Sequence, residues 1–184
     1  MTAYADRYRK VAAAFTERVR AVPPGAWDAP APCEGWVARD VVRHLVEWVP
    51  AFFFSGTWGV QAPEIPSVDE GPVAAWVALD AALEAALDDP AVATTERDTP
   101  MGRSSFEATL DMICTSDVLI HTWDLARATG LDEALDPDEV HRMLEGVEPM
   151  DEALRSSGHY GPRVDVPADA DEQTRLLAFL GRQP

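Results

Sequence analysis

The sequence predicts an all-α protein, with a four-helix bundle at residues 1–130 and a short C-terminal helical appendage at residues 131–184. Apolar residues recur with helical spacing in several long segments, and capping signals precede them. Few segments have the alternating pattern of a strand. The chain has 184 residues, 47% of them hydrophobic, so it is long enough to bury the core of a single domain over residues 1–184.

The first two predicted helices are bounded by cap and proline signals. Thr2 can cap a helix that runs to about Val22, where a Pro-Pro pair ends it. A loop follows, and the second helix begins near Val37 and carries His44. Pro50 is expected to kink or end this helix, although the three phenylalanines at residues 52–54 favour a buried continuation.

The third and fourth helices are each predicted to begin at a capping box. Residues 67–70, Ser-Val-Asp-Glu, open a helix that runs to about Leu87. Residues 94–102 are expected to form a short extended piece and a turn. Residues 104–107, Ser-Ser-Phe-Glu, then open a long helix that Gly130 ends as the residue after its last turn.

The remaining residues predict two shorter helices. Asp136 precedes a proline and caps the first of them. Residues 156–168 are expected to be irregular. The last helix opens between Asp169 and Glu172 and ends at Gly181.

The charge of the chain excludes some classes of partner. Against 15 basic residues there are 32 acidic ones, a formal net charge of −17. Nucleic acids and anionic membranes need a basic surface, so we expect neither as a partner; a small-molecule substrate remains. No apolar run reaches the roughly 18 residues of a membrane span, and no secretory segment is visible, so we expect a cytoplasmic protein. The sequence does not distinguish a monomer from a homodimer.

Two isolated cysteines and two isolated histidines carry little signal of their own. Cys33 and Cys114 lack the spacing of a zinc ribbon or a disulfide framework, so we expect free thiols. Cys114 precedes Asp117 by about one helical turn, but a small core residue is the more common role of such a cysteine. His141 and His159 lie in polar or irregular segments and are expected at the surface.

The segment at residues 112–129 is the most informative part of the chain. It is apolar nearly all round, which predicts a buried helix, yet it contains Asp117 and His121. These two residues are four apart and therefore lie on the same helical face. Asp124 lies three positions further along that stripe. Burial of an unpaired charge costs roughly several kcal/mol of folding free energy, so each carboxylate must be paired or must bind a metal.

A second histidine, His44, lies in another apolar helical run. Together with Asp117 and His121 it would supply two imidazoles and one carboxylate, which leaves a coordination position open for water or substrate. Imidazole-rich sites favour Zn²⁺ or Ni²⁺. The alternatives are a satisfied core histidine at position 44 and a structural ion pair at Asp117, with an arginine or a helix N-terminus.

Asp124 has two interpretations. It could accept a hydrogen bond from a metal-bound imidazole and so orient that ligand. It could equally form an ion pair with Arg43 or Arg127. The arginines at positions 43, 103 and 127 are also candidates to contact a substrate above the metal.

Three stretches carry a family resemblance. Residues 32–45 have the pattern P-C-x-G-W followed by a helix ending in H-L, and residues 117–130 have acid-x-x-x-H-x-W-D-L-A-x-A-x-G. The third stretch is the tail, residues 160–182. The chain thereby resembles the DinB/YfiT-like metalloprotein superfamily, in the branch that includes mycothiol-dependent maleylpyruvate isomerase. The resemblance implies a four-helix bundle with a divalent metal ligated at the positions of His44, Asp117 and His121. The isomerase has Glu at the position of Asp117, whose shorter side chain could instead hold a metal-bound water.

The leading functional hypothesis is a metal-dependent enzyme that acts on a small electrophile. Mycothiol or another low-molecular-weight thiol would be the cosubstrate, and the reaction would be a transfer or an isomerisation. The first alternative is a metal-dependent hydrolase or cyclase that activates water. The second is a metal-binding stress protein without turnover. A water-accessible site favours the enzymes, and a site sealed by aromatic rings favours the third hypothesis.

Overall fold

The protein is mainly helical, as the sequence predicts. A computed structural model describes residues 2–56, 58–99, 102–156 and 161–184. The α-helices in these ranges are α1 (Ala3–Ala21), α2 (Ala38–Phe53), α3 (Pro72–Asp88), α4 (Pro90–Ala93), α5 (Phe106–Thr109), α6 (Ser116–Thr129), α7 (Pro137–Val147), α8 (Asp151–Ser156) and α9 (Glu172–Phe179). A π-helical segment, Leu110–Thr115, joins α5 to α6. Within the described residues, no helix is long and apolar enough to cross a membrane.

Four long helices enclose the core. α1 contacts α3 and α6, and α2 contacts the same two helices. The largest side chains between them, Trp76, Trp123, Tyr8 and Phe15, are fully buried. α9 packs against α7, and its leucines belong to the same apolar cluster as the residues of α1. The C-terminal segment therefore shares the core that the four long helices form.

α2 continues past its internal proline. Pro50 lies inside the helix, which ends only at Phe53, and the Phe54 N–H still donates to the Pro50 carbonyl at 2.9 Å. A proline removes a single backbone donor, and the buried apolar face of α2 offsets that loss. The same register that buries Leu45 and Val49 leaves His44 and Trp48 together, half-buried, at the edge of that face.

Two predicted helix starts are wrong. The third helix begins at Pro72, because residues 67–70 form a turn in which the Ser67 carbonyl accepts from Glu70 and Gly71 at 3.2 and 3.0 Å. A proline in the first helical position fixes the backbone at the true start. The second wrong start is the one predicted at residues 104–107. The residue that caps α5 is Ser105, whose hydroxyl accepts from the Ala108 N–H at 3.3 Å.

A hairpin precedes that cap. Strands β1 (Glu96–Thr99) and β2 (Gly102–Ser105) are antiparallel and place Glu96 opposite Ser105. The predicted extended piece corresponds to β1. Ser104 lies in β2 rather than at a helix start, because its backbone pairs with Arg97.

The C-terminal helices largely follow their cap signals. The Asp136 carboxylate accepts from the Asp138 and Glu139 N–H groups, as predicted for the start of α7. Asp171 caps α9 within the predicted interval. The short helix α8 was not predicted, since its six residues show no helical periodicity of apolar side chains.

A buried ion-pair cluster links α1 to the π-helical segment and to α7. Arg7 contacts Glu139 through Nε at 2.5 Å and Asp111 through Nη1 at 2.9 Å. The same Nη1 donates to the Asp111 backbone carbonyl at 3.0 Å. The exposed fractions of the three side chains are 7, 7 and 14%, so these charges have little access to water.

Replacement of Arg7 should therefore destabilise the fold. Arg7→Ala removes the cation from mostly buried Asp111 and leaves Glu139 with Lys10, 3.5 Å away, so we expect the free energy of unfolding to fall by about 3–5 kcal/mol. Urea denaturation measures this change. Arg97→Ala, at an exposed position in β1, is the control and should stay within about 0.5 kcal/mol of the wild type. A loss at Arg7 as small as that of the control would contradict the stabilising role of the cluster.

Asp80 predicts a pH dependence of stability. Its carboxylate accepts from the Tyr8 hydroxyl at 2.8 Å, and burial raises the pKa of Asp80 more than that hydrogen bond lowers it. A carboxyl whose pKa is higher in the folded state favours folding in acid and disfavours it as the pH rises through that pKa. Asp80→Asn keeps an acceptor for Tyr8 and cannot ionise. We therefore expect the variant to melt at a higher temperature than the wild type at pH 7, with the difference shrinking toward pH 4; Asp98→Asn, on exposed β1, is the control.

Candidate metal centre

The π-helical segment sets the orientation of α6. It holds an additional residue per turn, so the faces after it are rotated relative to those of a continuous α-helix. The Thr115 hydroxyl donates to the Leu110 carbonyl, five residues back, at 3.3 Å. Asp117 is the second residue after the segment and lies in the first turn of α6. Short π-helical segments occur often at functional sites.

Three predicted residues converge between α2 and α6. His44, Asp117 and His121 each offer one donor atom, and the three atoms lie within 4.8 Å of one another. The two imidazole ring centroids are 4.9 Å apart. The separation is short enough for both rings to reach one ion at nitrogen–metal distances of about 2.1 Å. Their burial differs: 34% of the His44 side chain and 30% of the Asp117 side chain are exposed, against 5% of His121.

Asp117 is the centre of this group. Its Oδ2 lies 3.2 Å from His44 Nε2 and accepts from Trp48 Nε1 at 2.9 Å, and its Oδ1 lies 3.4 Å from His121 Nε2. Burial alone would raise the pKa of Asp117, but the two histidines lower it well below the usual range. The carboxyl group is therefore ionised at any physiological pH and is available as an anionic ligand.

His121 is held from both sides. Its Nδ1 lies 2.9 Å from Asp124 Oδ2, and an ionised carboxylate can only accept, so Nδ1 carries the proton. Nε2 then faces Asp117. Burial alone would lower the pKa of His121, but the charges and hydrogen bonds of Asp117 and Asp124 raise it to about 9. A carboxylate behind a ligand imidazole is the usual means of fixing its tautomer and ring orientation at a metal site.

A second group of potential ligands is less suited to a cation. Cys33, His121 and Asp124 also place one donor atom each within 4.8 Å. However, the Arg182 guanidinium lies 2.9 Å from Asp124 Oδ2 and 3.6 Å from Cys33 Sγ, where it would repel a metal ion. Burial and the nearby Asp124 charge raise the pKa of Cys33 to about 12, which leaves the thiol protonated. Of the two groups, the one at Asp117 is the candidate centre.

Aromatic rings flank the candidate centre. The Trp36 ring lies 5.9 Å from the His121 ring at an interplanar angle of 22°, and 5.2 Å from the His44 ring. Trp48 lies 6.2 Å from the His44 ring. These side chains narrow the access to the centre without closing it, because the edges of His44 and Asp117 remain exposed.

Other sequence candidates lie elsewhere. Arg43 pairs with Asp40 and Asp69, Arg127 with Glu133, and Arg103 with Glu96. The alternative in which Asp124 pairs with Arg43 or Arg127 is therefore wrong; its cationic partner is Arg182.

The predictions for the two cysteines and for His141 are confirmed. Cys114 is fully buried, and both cysteines are free thiols, as predicted. His141 is 55% exposed and contacts Glu172. His159 lies outside the described residues.

Sequence reasoning missed two contacts of the centre. Arg182 lies 58 positions from Asp124, and no local pattern connects them. Trp48 is one helical turn after His44, so the spacing could have placed it beside that histidine, but not its indole N–H on Asp117.

Comparison with known proteins identifies the family. The model of the mycothiol maleylpyruvate isomerase N-terminal domain matches residues 8–72. Two curated proteins of Mycobacterium tuberculosis, from strains H37Rv and CDC 1551, are each 30% identical over 179 residues, which is 96% of this chain and 94% of theirs. The chain belongs to this DinB-like family.

The matches differ in how much of the centre they include. The family model spans Trp36, His44 and Trp48 but ends before Asp117. The mycobacterial relatives, both described as uncharacterized, align with nearly the whole chain. No solved structure matches the chain.

Proposed function

We propose that the protein binds one divalent metal ion through His44, Asp117 and His121, and that it acts on a small electrophilic substrate with a low-molecular-weight thiol as cosubstrate. The observation that carries the proposal is the convergence of three donor atoms within 4.8 Å on two facing helices. The four long helices would then form a bundle of the DinB type with the ion between α2 and α6.

The donor set fits Zn²⁺ or Ni²⁺. Two imidazole nitrogens and one carboxylate suit the later first-row divalent metals, and three protein ligands leave at least one position open. Asp117 is negative and His121 presents Nε2 once its proton is displaced, so both can act as ligands. A bound divalent ion lowers the pKa of a thiol or water in its open position, which makes the anion available near neutral pH.

The surrounding residues would position these ligands. The Trp48 N–H fixes Oδ2 of Asp117, and the Asp124 carboxylate fixes the His121 ring. Trp36 is stacked with the His121 ring and tilted by 46° against the His44 ring, so it would limit the movement of both imidazoles. A substrate would approach along the exposed edges of His44 and Asp117.

A thiol cosubstrate is supported by the family. The description of the matched family names mycothiol as part of the isomerase activity. In the proposed reaction the thiolate sulfur forms a bond to carbon while the π bond of an activated alkene, a C–O bond of an epoxide or the bond to a leaving group breaks. The leaving group departs with its electron pair, and an alkoxide formed from an epoxide takes a proton from water. Rotation within the alkene adduct followed by expulsion of the thiolate restores the double bond and gives isomerisation, whereas protonation of the adduct by water with the sulfur retained gives transfer.

The open edge favours an enzyme over a sequestration protein. With 34% of the His44 side chain and 30% of the Asp117 side chain exposed, a small molecule can reach the ligands. A hydrolase or cyclase that activates water would use the same ligands. Turnover that depends on metal but not on thiol would select that alternative.

Removal of both histidines should abolish metal binding. The purified wild type is expected to hold close to one equivalent of Zn²⁺ or Ni²⁺ by elemental analysis, and the His44→Ala/His121→Ala variant is expected to hold almost none. His141→Ala, which removes an exposed histidine of α7 that contacts Glu172, is the matched control and should keep the metal. Stoichiometric metal in the double variant would contradict the ligand assignment.

Chelation should remove activity but not the fold. The protein has a large apolar core of its own, so the far-ultraviolet circular dichroism of the metal-free form should match that of the loaded form. Consumption of mycothiol with an epoxide or an activated alkene should cease on chelation and return with added metal. Loss of helicity on chelation would make the ion structural, and turnover unaffected by chelation would place the chemistry on other residues.

A further inference from the structure

Arg182, which follows α9, reaches into the main helices. Its Nη2 donates to Asp124 Oδ2 at 2.9 Å, and its Nε lies 3.3 Å from Oδ1 of the same carboxylate. The guanidinium thus contacts Asp124 with two of its donors, the arrangement that best fixes a carboxylate plane. Only 16% of the Arg182 side chain is exposed, and Asp124 is fully buried.

The backbone after α9 directs this side chain inward. Gly181 has φ +83° and ends the helix in a left-handed turn, while the Arg182 N–H donates to the Leu177 carbonyl at 2.9 Å. Leu176 and Leu177 are buried in the core and anchor the helix. A Cβ at position 181 would lie 3.1 Å from the Pro162 carbonyl oxygen, so both the turn and the close packing favour glycine there.

We propose that Arg182 is a positioning residue for the metal centre: by holding Asp124, it fixes the orientation and tautomer of the His121 imidazole. The proposal rests on the proposed function, since it concerns the same metal ligand. Arg182 does not touch the candidate ion position. It acts through one carboxylate that contacts the guanidinium on one side and His121 Nδ1, at 2.9 Å, on the other.

The charges at this contact support the proposal. Among the described residues, the other side chains that contact fully buried Asp124 are His121, which Asp117 also contacts, and the weak thiol donor of Cys33, 3.6 Å away. Arg182 supplies a cation with two donors on one side of this carboxylate, which leaves Oδ2 in place to accept from His121 Nδ1–H on the other side. Without Arg182, Asp124 loses two hydrogen bonds and is free to turn away from the ring.

The test is a measurement of metal affinity by competition with a chromophoric chelator. Loss of a partner behind a ligand imidazole typically weakens binding about 10–100-fold, and we expect this range for Arg182→Ala. Arg182→Lys keeps the charge but not the paired donors, so its metal affinity should lie between those of the wild type and Arg182→Ala. If Arg182→Ala does not fold, Arg182→Lys provides the test. Arg175→Ala, on α9 but paired with surface Glu148, is the matched control and should bind as the wild type does.

A double-mutant cycle separates positioning from general destabilisation. If Arg182 acts through Asp124, then Arg182→Ala in an Asp124→Asn background should weaken binding by less than about twofold, since little coupling energy remains to be lost. The visible absorption of the Co²⁺-loaded protein should change in Arg182→Ala and remain unchanged in Arg175→Ala, because it reports the ligand geometry.

The two proposals fail in different ways. If the wild type binds metal and Arg182→Ala binds it with the same affinity and Co²⁺ spectrum, the positioning role is overturned while the proposed function stands. Effects of Arg182→Ala and Asp124→Asn that add in full would also overturn it. A wild type that binds no divalent metal overturns both.

Discussion

The structure depends on two carboxylates carried by a buried helix. Asp117 and Asp124 both belong to α6, whose surroundings are apolar, and an unpaired charge there would cost several kcal/mol, on the order of the penalties for buried ions. Each carboxylate therefore needs cationic or hydrogen-bonding partners from elsewhere. Asp117 finds them on α2, in His44 and Trp48, and Asp124 finds Arg182 from the tail. His121, between the two, contacts both. The polar cluster thus fixes α2, α6 and the C-terminal segment in one relative register.

The π-helical segment before α6 also depends on polar partners from other elements. π-helical turns are rare because their hydrogen bonds are less favourable, so they persist where the surroundings stabilise them. Here the Asp111 carbonyl accepts from buried Arg7, and the Leu110 carbonyl accepts from the Thr115 hydroxyl. Arg7 also pairs with Glu139 of α7. The cluster at Arg7 therefore stabilises the segment that orients Asp117 toward α2.

Local signals were enough to predict the mainly helical fold and the pairing of Asp117 with His121. Helical periodicity, the glycine after α6 and the Asp136 cap are all read within a few residues, and the four-residue spacing follows from helix geometry. The helix starts at Ser67 and Ser104 were wrong because a capping box competes with turns and strands that use the same polar residues.

Contacts between distant segments could not be predicted from local patterns. The apolar helical run around His44 and the family resemblance together predicted it as a ligand, since sequence spacing alone does not relate α2 to α6. Arg182 lies in the third stretch of the family resemblance, but nothing in that pattern pairs it with Asp124: the contact depends on how α9 ends at Gly181 and where that turn points. Such a contact follows from packing, which no pattern within one segment records.

The division of the centre between distant segments also bears on what family membership conveys. A match confined to residues 8–72 includes His44 and the two tryptophans that flank it, but not the acidic half of the cluster. Proteins can share that segment and differ in α6, and the chemistry would differ with it. The mycobacterial relatives align over 96% of this chain, so the comparison with them extends to α6 and the tail. Because Asp124 and Arg182 compensate each other in the core, a change at one of them requires a change at the other. A relative that lacks the arginine should therefore carry a neutral residue in place of Asp124, or another cation beside it.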